Sequence, residues 1–148
     1  MDLSRDAWVT KPSPRSSNRR DPLELVSNAR GRLELAGGRV RFGTVSGSPG
    51  RTSGSFTLWL EEMAGRPGVK DQIEAGDAVL LLDAPIEACR VTFPRFMPGA
   101  MQIATGGKTW AFWLVNPDGP SGFDLLDLPI FWFGGRRAIK SWKAALRH

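Results

Sequence analysis

The sequence predicts a mainly β, α+β fold: a bent antiparallel β-barrel capped by a C-terminal α-helix, with one or two extra short helices. Three observations predict it. Two hairpins turn on Gly-Gly pairs, the residues flanking each pair fall into matching registers, and the last stretch has an apolar helical face centred on one tryptophan.

At 148 residues the chain is long enough to bury a core without disulfides or metals. Residues 1–20 read as a flexible basic N-terminal tail, because KPSPRSSNRR offers nothing to bury, and Trp8 stands alone within it. Residues 21–148 read as a single domain. In DPLELVSNARG, Asp21 caps a helix, Pro22 suits the first helical position and Glu24 completes a capping box. Gly31 ends that helix in the left-handed region.

GRLELAGGRVRFG is the clearest hairpin. With Gly37-Gly38 as a two-residue turn, Leu35 pairs with Val40 and Leu33 with Phe42 on one face, and Glu34 meets Arg41 on the other. The loop VSGSPGRTSGS follows. It is not a phosphate loop, since Val45 stands where the first glycine of G-x-x-x-x-G-K-[ST] belongs. GGKT at 106–109 fails in the same way at Gln102. FTLWLEEMAG fits either period: Phe56, Leu58 and Leu60 alternate like a strand, whereas Phe56, Trp59, Leu60, Met63 and Ala64 match a helix. The helix is preferred, with Ser55 as cap and Gly65 as stop.

After GRPGVKDQIEAGD, AVLLLD reads as a strand, API as a corner and EACRVTF as a strand that Pro94 stops. AMQIATGGKTWAFWLV is a second hairpin around Gly106-Gly107, pairing Ile103 with Trp110 and Met101 with Phe112. FDLLDLPIFWFGG is an apolar connection without a clear period. The final helix runs from about Arg136 to Leu146. On its wheel Ala138, Ile139, Trp142, Ala145 and Leu146 share one face, and Arg136, Lys140, Lys143 and Arg147 form a basic stripe on another. One large tryptophan among small residues fits a helix packed on a sheet better than one lying in lipid. The expected core is Leu33, Leu35, Val40, Phe42, Val91, Phe93, Ile103, Trp110, Phe112 and Trp142.

The net charge is +5 with a pI near 10.1. Arginines cluster at 30–51 and cations again at 136–147, while Glu61 to Glu87 is acidic. Such segregation suggests a dipolar surface, which allows an anionic partner (phospholipid, nucleic acid or an acidic protein) or serves solubility alone. Catalysis has little to stand on. The one histidine is the terminal His148, the one cysteine, Cys89, sits in the apolar context EACRVTF, and tyrosine is absent. Asp124 and Asp127 read as a solvated turn rather than a catalytic pair. The expectation is a non-enzyme with no cofactor and no metal. No apolar run approaches the length of about 20 residues that a membrane span needs, and MDLSRDAWVTKP has no signal-peptide core. The expected location is therefore the cytoplasm, with peripheral docking on the inner face of the membrane as an addition.

GRLELAGGRVRF as a first hairpin, VLLLDAPIEACRVTFPRF as strand-corner-strand, GGKTWAFWLVNP as a late hairpin and AIKSWKAAL as a closing helix together resemble the pleckstrin-homology-like superfold, particularly its GRAM and bacterial PH-like branches. The resemblance covers roughly residues 30–148. It implies a seven-stranded bent barrel whose end is closed by a helix carrying a core tryptophan. It also implies a binding or scaffold module. The turn Ala36-Gly37-Gly38-Arg39 lacks the several basic residues of an inositol-phosphate pocket. The expected partner is a protein or an anionic phospholipid, contacted through Arg39, Arg41, Trp132, Arg136, Arg137, Lys140, Lys143 and Arg147. In PIFWFGGRR, Phe131 to Phe133 either seal the barrel end or sit at the headgroup boundary. The second reading is a small β-barrel that binds nucleic acid by tryptophan stacking, disfavoured because most tryptophans fall at core-facing positions.

Overall fold

The computed structural model of the protein describes residues 3–12, 27–47, 52–93, 99–114 and 140–145. Strands β2 (Ala29–Ala36) and β3 (Arg39–Thr44) form the first hairpin, with Gly37 and Gly38 at φ 59° and 72°. Those positive angles are the ones a two-residue turn between right-twisted strands requires. The register is the expected one: Leu35 opposite Val40, Leu33 opposite Phe42, Glu34 opposite Arg41. Strands β6 (Ala100–Thr105) and β7 (Lys108–Trp113) repeat the arrangement around Gly106-Gly107, placing Ile103 opposite Trp110 and Met101 opposite Phe112.

Between the two hairpins runs a strand where a tail was expected. Residues Leu3–Thr10 form β1, which pairs antiparallel with β2 from Leu3↔Leu35 to Val9↔Ala29 and with β7 from Trp8↔Trp113 to Thr10↔Ala111. LSRDAWVT carries few large apolar residues. Backbone hydrogen bonds to neighbours on both sides, with Ala7 and Val9 fully buried, suffice to hold it. Trp8 is accordingly not solitary, having Arg30 and Trp113 as cross-strand neighbours. The helix expected over 21–31 is corrected at its end, because Ala29 to Gly31 belong to β2; positions 21–26 lie outside the described residues. Gly31 is required by packing, not by a helix stop. A Cβ there would collide with the Gly43 carbonyl and come within 2.6 Å of Phe42 Cζ.

Residues 54–64 settle as a helix, α1 (Gly54–Ala64). Its cap is Ser53, not Ser55: the Ser53 hydroxyl accepts from the Phe56 amide, and Gly65 closes the helix at φ 70°. Phe56 and Leu60 are buried, with Trp59, Met63 and Ala64 packed against the core. Lys108 on β7 donates from Nζ to the carbonyls of Glu62 and Met63 at 3.1 and 2.9 Å, satisfying the end of α1 from the sheet. A second helix, α2 (Val69–Glu74), lies within GRPGVKDQIEAGD. Val69 and Ile73 are buried, and the Glu61 carboxylate accepts from the Gly68 and Lys70 amides at its start.

Strand β4 (Leu80–Pro85) lies further along than AVLLLD suggested, and the corner is a 3₁₀ turn at Ile86–Ala88. A register irregularity at Phe42/Gly43 lets Leu81 and Leu82 both be buried, so strict alternation fails locally. Strand β5 (Arg90–Thr92) completes a seven-stranded antiparallel sheet in the order β4-β3-β2-β1-β7-β6-β5. No ladder joins β4 to β5 among the described residues, so the hydrogen-bonded ring is open there.

Of the expected core, Leu33, Leu35, Val40, Phe42, Ile103, Trp110, Phe112 and Trp142 are buried. Val91 and Phe93 are only partly buried and pack at its margin, because β5 is a short edge strand. Residues 140–145 form a helix, α3, and Trp142 on it belongs to the core; positions 136–139 and 146–148 of the expected helix lie outside the described residues.

Candidate binding surface

A helix that buries one aromatic residue presents its other faces to solvent. In α3, Trp142 is 2% exposed and Ala145 is half-buried against the core, whereas Lys140 and Lys143 are exposed. At 3.6 residues per turn the two lysines lie close together on the outward side. Lys143 Nζ sits 5.2 Å from the centre of the Phe93 ring, a cation-π contact that ties α3 to the residue just after β5. Of the other expected contact residues on or near this helix, Trp132, Arg136, Arg137 and Arg147 lie outside the described residues.

Arg39 and Arg41 stand two apart on β3, so both point away from buried Val40 and Phe42. They share one acceptor. Asp83 Oδ1, across on β4, receives Arg39 Nε at 2.8 Å and Arg41 Nε at 3.3 Å. The Arg39 hydrogen bond, with the charges of both arginines, holds the Asp83 carboxyl below its ordinary range despite some desolvation. One carboxylate against two guanidiniums leaves a single net positive charge. In strand order β3 and β5 lie toward opposite edges of the sheet, and no described contact joins Arg39 or Arg41 to α3.

Sequence reasoning did not find Asp83. The strand around it was expected, but β4 was not paired with β3 in advance, so no register brought the acid to the arginines. It also missed a second group of charges. On the face of the sheet opposite the core, Asp6 of β1 receives Arg30 at 3.2 Å and Arg32 at 3.3 Å, and Arg32 Nε donates to Ser4 Oγ at 2.7 Å. Reading β1 as a tail removed their partner. In the same row lie Trp8 and Trp113, directly opposite each other and each half-buried.

Among the described residues no group of three or more His, Cys, Asp or Glu side chains is placed to hold a metal ion, and no helix is long and apolar enough to cross a membrane. Cys89 is half-buried, its thiol donating to the Pro85 carbonyl at 3.3 Å. No family model matches the chain, and no curated protein matches it significantly.

Proposed function

We propose that the protein is a non-catalytic binding module, built as a PH-like bent barrel, that engages an anionic partner through the outward basic face of its C-terminal helix. The observation that carries this reading is the division of α3: Trp142 buried, Lys140 and Lys143 exposed beside it. A face anchored by a core tryptophan is held at a fixed orientation, so its charges are presented without a large ordering cost on contact. The strand order, with two hairpins flanking β1 and a helix seated on the core, supports the PH-like architecture. The residue inventory supports the absence of catalysis: one histidine at the terminus, one cysteine, no tyrosine.

The partner favoured for test is an anionic membrane surface, with an acidic protein as the competing partner, and the location is the cytoplasm, at or near the inner leaflet. Each exposed cation contributes about 1 kcal/mol at such a surface. Replacing Lys140, Lys143 and Arg147 together by alanine therefore weakens binding to vesicles containing anionic lipid roughly a hundredfold. Equal sedimentation of wild type and variant with these vesicles, at low and physiological salt, would discard the membrane as partner.

A further inference from the structure

The sheet has two faces, and the described core cluster lies on one of them. Side chains alternate along a strand, so burial of Ala29, Leu33 and Leu35 on β2 and of Val40 and Phe42 on β3 turns Arg30, Arg32, Glu34, Arg39 and Arg41 to the other side. The pairings carry that outer face onward. Asp6 and Trp8 on β1 face it with Arg32 and Arg30, Trp113 on β7 lies opposite Trp8, and Asp83 on β4 lies opposite Arg41. Arg90 on β5 joins it, since its neighbour Val91 pairs with buried Ile103.

Two properties of this face stand out. Its strand positions carry five arginines and no lysine, against the three carboxylates of Asp6, Glu34 and Asp83, a surplus of two positive charges. Near its middle, Trp8 and Trp113 are cross-strand neighbours, so their Cα atoms are about 5 Å apart. Among the described residues neither indole stacks on another ring. Thr10 and Ala111, the next pair along on this face, are small and buried. Trp110 and Trp142 belong to the core; Trp8 and Trp113 do not.

We propose that the outer face of the sheet, centred on Trp8 and Trp113, binds single-stranded nucleic acid. The indoles stack on neighbouring bases, Arg30 and Arg32 beside them meet phosphates, and Arg90 extends the track toward β5. A single strand fits because its bases expose their faces, which a duplex hides, and aromatic platforms in a basic setting take any base. Guanidinium is the suitable cation here, being planar, permanently charged and able to grip a phosphate with two hydrogen bonds. Asp6 holds Arg30 and Arg32 in place, and the three together still carry a net positive charge. This surface is distinct from the α3 face and does not depend on how that face is read.

The test uses the full chain and a fluorescein-labelled single-stranded oligothymidylate of about 12 nucleotides, followed by anisotropy at about 50 and 200 mM salt. Binding is expected to weaken with salt. Trp8→Ala and Trp113→Ala each weaken it roughly tenfold, and Trp8→Phe weakens it only a few-fold. Arg90→Gln, at an exposed edge position with no carboxylate partner among the described residues, lowers affinity and flattens the salt dependence. If Trp8→Ala does not fold, Trp113→Phe and Arg90→Gln carry the comparison. The inference is overturned by any of three results: no binding at about 100 μM protein, equal affinity for the duplex, or loss of vesicle binding instead of oligonucleotide binding in the tryptophan variants.

Discussion

The rings of Phe42 and Phe112 lie 4.8 Å apart, tilted by 51°, although β2 and β1 separate their strands in the sheet. Three strand spacings in a flat sheet are about 14 Å, too far for two phenyl rings to meet. The sheet must therefore curl, bringing β3 and β7 toward each other over a shared interior. Trp110 stacks near Phe112 at 6.2 Å, and Trp142 of α3 joins the same core. Curling rather than ladder closure is what encloses the described core.

Phe42→Ala and Phe112→Ala are each expected to cost about 3 to 5 kcal/mol, since both rings are fully buried. Because the rings touch, the double variant should be less destabilised than the two singles added, by about 0.5 to 1.5 kcal/mol. Chemical denaturation of all four proteins measures this. Strict additivity would mean that the contact does not link the two halves of the sheet.

Gly31→Ala is expected to destabilise by about 1 to 3 kcal/mol, as an added methyl meets both the Gly43 backbone and the Phe42 ring. Gly47→Ala has open space around it and meets only the strain of φ 98°. Melting temperatures of the two variants separate collision from backbone strain. A Gly31 variant as stable as wild type would require the Phe42 ring to have another place to go.

Lys108 reaches from β7 to the last carbonyls of α1. Replacing it by Met keeps the aliphatic stem and removes both hydrogen bonds and the favourable charge at a helix C-terminus. The expected loss is about 1 kcal/mol, with faster amide exchange at the end of α1. Lys108→Arg should recover part of it.

Asp83 supplies a pH dependence of definite sign. Arg39 and Arg41 hold its carboxyl below the ordinary value of 3.8, so the folded state favours the charged form. The stabilisation is fully present above that value and is lost as pH falls through the lower folded pKa. Asp83→Asn should therefore be less stable than wild type near neutrality, and the gap should close below about pH 4. A gap that widens on acidification would assign the effect to another group. The same sign applies to Glu74, lowered by its hydrogen bonds from Lys70 and Thr57.

The hairpins were legible because each contains its whole signal: a glycine pair for the turn and facing apolar residues within a few positions. Trp142 was legible for a similar reason, being the only large residue at the centre of its helical face. What escaped depended on distant partners. β1 has little apolar content of its own and is a strand because β2 and β7 already stand on both sides. Its misreading hid Asp6 as the partner of Arg30 and Arg32, and made Trp8 look isolated when Trp113 was its neighbour. Asp83 escaped likewise, since only the β3–β4 ladder carries it to Arg39 and Arg41. α2 is too short for its period to be read, and it exists because Glu61 caps it and α1 covers it.

Trp142 and Lys140 separate two roles of one helix. Trp142→Ala removes a buried indole from the core and should cost about 3 to 5 kcal/mol. Lys140→Ala removes an exposed charge with no ion pair among the described residues, and should change stability by less than about 0.5 kcal/mol. Lys143 is intermediate: its ammonium lies over the Phe93 ring, so Lys143→Ala should cost about 0.5 kcal/mol more than Lys140→Ala. Phe93→Leu should abolish that difference, because it removes the ring and leaves the lysine. Wild type, Lys143→Ala, Phe93→Leu and the Phe93→Leu, Lys143→Ala double variant form a complete cycle. If Lys140→Ala and Lys143→Ala melt alike in the wild-type background, the lysine does not anchor α3, and the described hold on the sheet rests with Trp142 and Ala145.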